Sequence, residues 1–125
     1  MTLDILYDIQ YNVGNGDDMT NESFDNVILE LRRGVIVLAV LSRLDVERYG
    51  YSLINGLKEA GLEIDQGTLY PLLRRLESQG LLQSNWRIES DRPRRYYALS
   101  DEGRRLLPRL RVEWNSIVSI MEKML

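Results

Sequence analysis

The 125-residue sequence contains neither histidine nor cysteine. These two residue types supply the ligands of Cys/His zinc sites, the partners in Ser-His and Cys-His nucleophilic pairs, most haem ligands and all disulfides. Their absence excludes most familiar enzyme chemistries, so we expect a protein that is not an enzyme and that holds no metal or other cofactor. The adjacent Asp17 and Asp18 lie in a glycine-rich stretch without fixed geometry, and we expect both to be solvated carboxylates.

The sequence also lacks any run of about 18 apolar residues. Its N-terminus has no cationic segment followed by an apolar one. We therefore expect neither a membrane span nor a secretory signal, and a cytoplasmic protein. The content of 44% hydrophobic and 28% charged residues is typical of one globular domain.

Basic residues are missing from the first 31 positions, which hold seven acidic residues and no Lys or Arg. The rest of the chain holds all 16 basic residues and 12 acidic ones, so its net charge is +4 although the whole chain carries −3. Between Arg74 and Arg111 there are ten arginines and five acids. Arg is suited to bidentate contacts with phosphates and base edges, so this stretch is a candidate nucleic-acid surface. A solvated charged face is the alternative.

Residues 3–13 alternate between apolar and polar side chains, which favours a strand, although a short helix is the competing interpretation. The Gly- and Asp-rich residues 14–18 then interrupt regular structure and predict a linker. We interpret residues 1–23 as an acidic N-terminal extension.

Helical spacing of apolar residues predicts a first helix from Phe24 to Leu44. Gly34 inside it favours the close approach of another backbone. A second helix is predicted from about Tyr51, with Gly61 in the left-handed conformation at its end.

A third helix is predicted between Asp65 and Gly80, with its leucines toward the core. Asp65 is a candidate N-cap. Thr68 is the alternative, because it would place Pro71 in the first turn, where no backbone donor is needed. The opposite face of this helix carries Gly, Tyr and Arg.

Two β-prone runs follow, Leu82 to Ile88 and Arg95 to Leu99, and predict a hairpin with a basic tip at residues 89–94. A last helix is predicted with Ser100 as its N-cap and a kink near Pro108. Its apolar residues recur at spacings of three and four, which predicts a heptad seam for dimerisation. The seam consists of Leu107, Leu110, Trp114, Ile117, Met121 and Met124.

These elements predict a mainly α fold with a small β-hairpin (α+β). The order is that of a winged helix-turn-helix, here residues 24–99, followed by a C-terminal dimerisation helix at residues 100–125. In that fold the third helix enters the major groove of DNA and the hairpin lies along the backbone. The predicted DNA-contacting residues are Gln66, Thr68, Tyr70, Arg74, Arg92, Arg94 and Arg95. Packing on a neighbouring helix is the alternative for Tyr70, and an ion pair with Glu77 is the alternative for Arg74.

Four stretches carry a specific pattern: LRRGVIVLAVLSRL, YGYSLINGLKEAGLEI, GTLYPLLRRLESQGLL and ESDRPRRYYALSDEGRRLL. Together they resemble PadR-like transcriptional regulators, from about Leu31 to Leu125, and the short C-terminal helix resembles that of the small, LmrR-like subgroup. The resemblance implies a homodimeric repressor with the third helix and the hairpin on DNA. In some members it also implies an effector pocket at the dimer interface. Residues 1–23 have no counterpart in the pattern.

Trp114 occupies a seam position where an indole is too large for regular knobs-into-holes packing. We therefore expect a pocket between protomers for a flat aromatic or apolar effector, lined by Trp114, Leu110, Ile117 and Met121. The alternative is a pair of packed tryptophans with no space between them. Two functions remain open. One is a repressor that binds double-stranded operator DNA and is relieved by such an effector. The other is a winged-helix protein-interaction module whose DNA surface is masked by the acidic N-terminus.

Overall fold

The computed structural model describes residues 20–125, so the strand predicted at residues 3–13 and the linker after it lie outside the described residues. The contacts divide the chain into two units, residues 1–36 and 37–125. Helix α1 (Asn21–Arg43) begins in the first unit. It starts three residues before the predicted Phe24, because the Thr20 hydroxyl accepts a hydrogen bond from the Ser23 backbone N–H at 3.1 Å. The close approach of another backbone to Gly34 stays a prediction.

The second unit contains three more helices and a three-stranded antiparallel sheet in the order β1-β3-β2. Strand β1 was not predicted, because two residues are too few to show an alternating pattern. The remaining elements confirm the expected α+β fold. In chain order the elements after α1 are β1 (Arg48–Tyr49), α2 (Gly50–Glu59), α3 (Gln66–Ser78), β2 (Leu82–Glu89), β3 (Arg92–Leu99) and α4 (Asp101–Met124).

The ends of α2 and α3 follow the sequence signals. Gly61 after α2 and Gly80 after α3 have φ of 99° and 83°, values that glycine adopts without a steric penalty. Asp65 is the N-cap of α3, because its carboxylate accepts a hydrogen bond from the Thr68 backbone N–H at 2.8 Å. The alternative cap at Thr68 is therefore wrong, and Pro71 lies inside the helix.

The hairpin is longer and its loop shorter than predicted. Glu89 pairs with Arg92, so the loop consists of Ser90 and Asp91, both with positive φ as a two-residue type I′ turn requires. The predicted six-residue basic tip is wrong, because Arg92 and the two residues after it belong to β3. Pro93 is tolerated in that strand since β1 pairs only with Tyr96 and Tyr97, which leaves the other side of β3 unpaired at Pro93.

Leucines from α1, α2, α3 and the sheet form the core of residues 37–125. Leu41, Leu53, Leu69 and Leu73 are almost fully buried, and burying such a side chain stabilises the fold by about 1.5–3 kcal/mol. The predicted leucine stripe of α3 is confirmed, because all four of its members are buried: Leu69, Leu72, Leu73 and Leu76.

Helix α4 is fixed at its start. The Ser100 hydroxyl accepts a hydrogen bond from the Gly103 backbone N–H at 3.1 Å and donates one to the Gly80 carbonyl at 2.6 Å, which confirms the predicted cap. The helix continues through Pro108 to Met124.

Candidate nucleic-acid interface

The first turn of α3 presents polar side chains to solvent. Because the leucine stripe faces the core, Gln66 and Thr68 lie on the outer surface, and both are exposed. The Asp65 cap fixes the direction in which this turn leaves the preceding loop. Two groups that can read base edges therefore stand at the exposed end of a rigid helix.

Tyr70 has a packing role that the sequence left open. Its ring lies over Gly50 at the start of α2, where a Cβ would come within 2.3 Å of the tyrosine Cε1. The side chain is half-buried rather than enclosed. Packing on the neighbouring helix is thus confirmed, and contact between its exposed part and DNA stays a prediction. Sequence patterns do not identify Gly50, because the need for glycine at this position comes from the Tyr70 ring, which is distant in the sequence.

Arg74 is exposed and has no ion pair within 4 Å among residues 20–125. The alternative for Arg74, an ion pair with Glu77, is wrong for the described residues. Glu77 instead binds Arg95 across the fold, at 2.9 Å from Oε1 to Nη2, and accepts a hydrogen bond from the Ser84 hydroxyl at 2.7 Å. The Arg74 guanidinium is therefore available to a phosphate.

Arg95 is held near the middle of the β2–β3 hairpin, which we call the wing. Besides Glu77, it bonds Ser84 through Nε at 3.0 Å. Its guanidinium carbon lies 5.7 Å from the Trp86 ring centre and 5.3 Å from that of Tyr97. This side chain fastens the wing to α3, and its predicted contact with DNA would use the donors that remain.

The opposite face of the wing carries a ladder of arginines on tyrosines. Arg87 lies 4.4 Å above the Tyr96 ring and pairs with Glu47, while Arg94 lies 4.6 Å above the Tyr49 ring. Sequence patterns gave no signal for these pairs, because Glu47 and Tyr49 precede the hairpin by more than 30 residues.

Of the three predicted wing arginines, Arg94 approaches Glu89 at 3.7 Å, and Arg95 is paired with Glu77. Arg92 is exposed beside the turn and has no ion pair within 4 Å in the described part of the chain. Arg92 is thus the wing arginine most accessible to a DNA backbone.

Two tyrosines of the wing have pKa values above the ordinary value. The pKa of Tyr96 is raised chiefly because its hydroxyl donates a hydrogen bond to Glu89, and burial adds to the effect. The pKa of Tyr97 is raised chiefly by burial, which disfavours the charged phenolate. Both tyrosines are therefore neutral hydrogen-bond donors at physiological pH.

A groove of about 310 Å³ separates α3 from the wing. It brings together four of the predicted DNA-contacting residues, whereas Gln66, Thr68 and Arg92 lie outside its lining. The complete lining, which we call the α3–wing groove, is Tyr49, Gly50, Tyr70, Arg74, Trp86, Pro93, Arg94, Arg95 and Tyr97.

The predicted seam of α4 lies largely open on one protomer. Leu107 and Leu110 are half-buried, whereas Trp114, Ile117 and Met121 are 38%, 48% and 41% exposed and Met124 is 68% exposed. We call these six residues the α4 stripe. Neither the α3–wing groove nor a second cavity beside α2, of about 380 Å³, includes a residue of α4.

Between residues 20 and 125, no helix combines the length and the apolar character that crossing a membrane requires. In the same residues, no three carboxylates cluster closely enough to hold a metal ion.

Comparisons with known proteins find similar sequences and similar folds. Residues 37–109 match the model of the transcriptional regulator PadR-like family. A crystal structure of a PadR family transcriptional regulator from Eggerthella lenta is 43% identical, has a TM-score of 0.76, and the match covers 83% of this chain and 93% of that one. A PadR family transcription regulator from Clostridium difficile is 30% identical with a TM-score of 0.65, over 71% of this chain and 96% of that one.

A transcriptional regulator of Mycobacterium tuberculosis is 39% identical over 79 residues, which are 62% of this chain and 74% of that protein. These relatives are regulators and not enzymes, as expected for this sequence. The winged-helix architecture, the match over more than half of the chain and the similarity to solved structures lead to one assignment. The chain belongs to the PadR-like family of transcriptional regulators.

Proposed function

We propose that this transcriptional regulator is a repressor that binds operator DNA as a homodimer, with α3 in the major groove and the wing along the backbone. The proposal rests on the polar side chains exposed on the outer surface of α3. Gln66, Thr68 and Arg74 are all exposed there, outside the leucine stripe, and Arg74 has no ion pair within 4 Å among the described residues. Amide and hydroxyl groups suit base edges, and an unpaired guanidinium suits phosphate.

Charge supports the same surface. Arg92 on the wing and Arg74 on α3 are exposed cations on the two elements that flank the α3–wing groove. A winged helix bound to DNA brings both elements to the phosphate backbone. Arg94 and Arg95, each near a carboxylate, would add less affinity than the two unpaired arginines.

Dimerisation through α4 is supported by the exposed α4 stripe. Trp114, Ile117 and Met121 fall on one side of the helix, and a monomer would leave this large apolar surface in water. Pairing two such stripes around a dyad would bury them and place two α3 helices for half-sites about one helical turn, roughly 34–36 Å, apart.

Relief by an effector is the finer part of the proposal. Trp114, Leu110, Ile117 and Met121 would line the pocket between two α4 helices, because two indoles hold those helices apart. Such a pocket would be a feature that the chain shares with the LmrR-like subgroup. The protein-interaction alternative is not favoured, because the matched relatives are transcriptional regulators.

The acidic residues 1–23 would lower DNA affinity if they are tethered near the wing, because the five acids among them repel phosphate. Deleting residues 1–20 would then raise operator affinity at low salt, whereas unchanged affinity would leave them without this role.

Fluorescence anisotropy on a duplex enriched by the wild-type protein tests the proposal. Contacts to about three or four phosphates per protomer predict a log-log salt slope of about −5 to −7 for the dimer. Arg92→Ala should weaken binding to all sequences and flatten the slope by about one unit per protomer. Tyr70→Ala should reduce sequence preference instead.

The matched control is Arg109→Ala, which removes the same charge from an exposed position on α4. If Arg92→Ala and Arg109→Ala both retained the wild-type slope, the wing would not bind the backbone and the proposed docking geometry would be wrong.

A further inference from the structure

A second cavity lies beside α2, outside the surface proposed above for DNA. Its volume of about 380 Å³ lies within the range of small-ligand pockets. It shares no residue with the α3–wing groove and contains none of the predicted DNA-contacting residues. We call it the α2 cavity, and its lining consists of Arg43, Arg48, Ser52, Leu53, Gly56, Glu59 and Ala60.

Two arginines give the α2 cavity its positive charge. Arg43 is the last residue of α1 and Arg48 the first of β1, and between residues 20 and 125 neither has a carboxylate within 4 Å. The Arg48 Nε donates a hydrogen bond to the Arg43 carbonyl at 2.8 Å, which ties the strand to the end of α1. Ser52, in the first turn of α2, adds a hydroxyl group to the lining. Two unpaired guanidinium groups and a hydroxyl suit a phosphate monoester, which carries about two negative charges at neutral pH and accepts several hydrogen bonds.

A carboxylate lies at the other end of α2. Glu59 is the last residue of the helix, seven positions after Ser52 and therefore about 10 Å farther along its axis. Glu59 is exposed, and no Lys or Arg of the described chain approaches its carboxylate within 4 Å. Between the two ends, a Cβ on Gly56 would meet no atom within 4 Å, so the middle of the cavity has room for a ligand chain. The cavity therefore offers positive charge near the start of α2 and negative charge at its end.

We propose that the α2 cavity binds a small zwitterion with a phosphate monoester at one end and a primary amine at the other. Arg43 and Arg48 bind the phosphate, and Glu59 binds the ammonium group. The lining carries two positive charges and one negative charge, which complement a phosphate dianion and one ammonium group. A DNA strand fits less well, because it carries phosphates along its whole length and would place negative charge beside Glu59. The lining belongs to one protomer, and the site does not depend on DNA binding.

Titration of the full-length ¹⁵N-labelled protein tests the site through the amide signal of Gly56, which Gly56→Ala assigns. The probe is 6-aminohexyl phosphate, which carries both charged groups on a flexible chain. Hexyl phosphate lacks the amine, 6-aminohexanol lacks the phosphate, and inorganic phosphate lacks the chain. The probe should shift the signal saturably and bind about threefold more tightly than hexyl phosphate, which is the gain expected for one exposed ion pair. The alcohol should bind more weakly than either phosphate ester.

Two pairs of variants separate the two ends of the cavity. Arg43→Met is compared with Lys58→Met, which removes an exposed positive charge from α2 outside the lining. Glu59→Gln is compared with Glu63→Gln, which removes an exposed negative charge outside the lining. Arg43→Met should weaken binding of both phosphate esters about threefold. Glu59→Gln should remove the preference for the probe over hexyl phosphate, because a neutral amide does not attract an ammonium group, and both controls should behave as wild type.

Four results would each overturn the site. They are a Gly56 signal that does not saturate, equal affinity of wild type for the probe and hexyl phosphate, a preference that survives Glu59→Gln, and inorganic phosphate that binds as tightly as the probe. If the probe does not bind and Arg43→Met weakens operator binding, the two arginines belong to the DNA interface instead. If wild type binds no operator, the proposed function fails, and the Gly56 titration still decides whether the site exists.

Discussion

At Gly103, in the first turn of α4, a single added methyl group should lower the free energy of unfolding. A Cβ there would lie 2.2 Å from the Leu81 carbonyl oxygen and 3.1 Å from Leu99 Cδ2. Ordinary carbon–oxygen contacts are about 3.3 Å, so the two backbones would have to separate by about 1 Å. The same Leu81 carbonyl accepts a hydrogen bond from the Ser100 N–H at 3.0 Å, and that separation would weaken this bond as well.

The expected cost of Gly103→Ala is about 1–2 kcal/mol. Overpacking a close contact costs about 1–3 kcal/mol, and the helix propensity of alanine offsets up to about 1 kcal/mol of it. The clash lies between backbone atoms rather than with the end of a flexible side chain, so the protein cannot relax it by a rotamer change. Urea denaturation at fixed protein concentration, followed by tryptophan fluorescence, measures the free energy of unfolding.

Gly56→Ala is the matched control. Gly56 is also helical, but a Cβ there would meet no atom within 4 Å, so this variant should be more stable than wild type by up to about 1 kcal/mol. Equal unfolding free energies for the two variants would refute the reasoning, because both receive the same propensity gain and differ only in the contact at Leu81.

Three further predictions concern the dimer, the wing and α3. Ile117→Asp should give a monomer in sedimentation, while Val112→Asp, on the opposite side of α4, should remain dimeric; a dimer in both would exclude the α4 stripe as the interface. The pKa of Tyr96 is raised by its hydrogen bond to Glu89, so the unfolded chain loses the tyrosine proton at a lower pH than the folded chain. The free energy of unfolding should therefore fall above about pH 10. Tyr96→Phe should flatten that fall, and an unchanged pH profile would contradict the hydrogen bond. Asp65→Ala should cost about 1 kcal/mol of unfolding free energy, and no loss would mean that the cap is not formed in solution.

The sequence was informative where local patterns govern structure. The leucine spacing of α3, the Asp65 cap and the glycines at 61 and 80 act within a few residues, so their effects could be predicted. The hairpin loop was misjudged because Arg92 and its two successors look like a polar tip, yet the positive φ at the turn lets the strands pair up to Glu89.

The candidate interface was only partly predictable because long-range pairs determine which arginines are free. The spacing of Arg74 and Glu77 favours a helical pair, but Arg95 approaches Glu77 from the sheet and binds it instead. Gly50 gives no signal by itself, since its need for a missing Cβ comes from the Tyr70 ring, 20 positions away. Such pairings depend on tertiary register, which periodicity does not contain.

We expect the exposed face of α3 to read DNA sequence, and selection of bound duplexes from a random pool measures this directly. The selection is run with wild type, with Thr68→Ala from that face and with Arg109→Ala from α4. Wild type and Arg109→Ala should select a two-fold-symmetric motif, and Thr68→Ala should select a motif that is degenerate at one position per half-site. No enriched motif for wild type, or identical motifs from all three proteins, would contradict it.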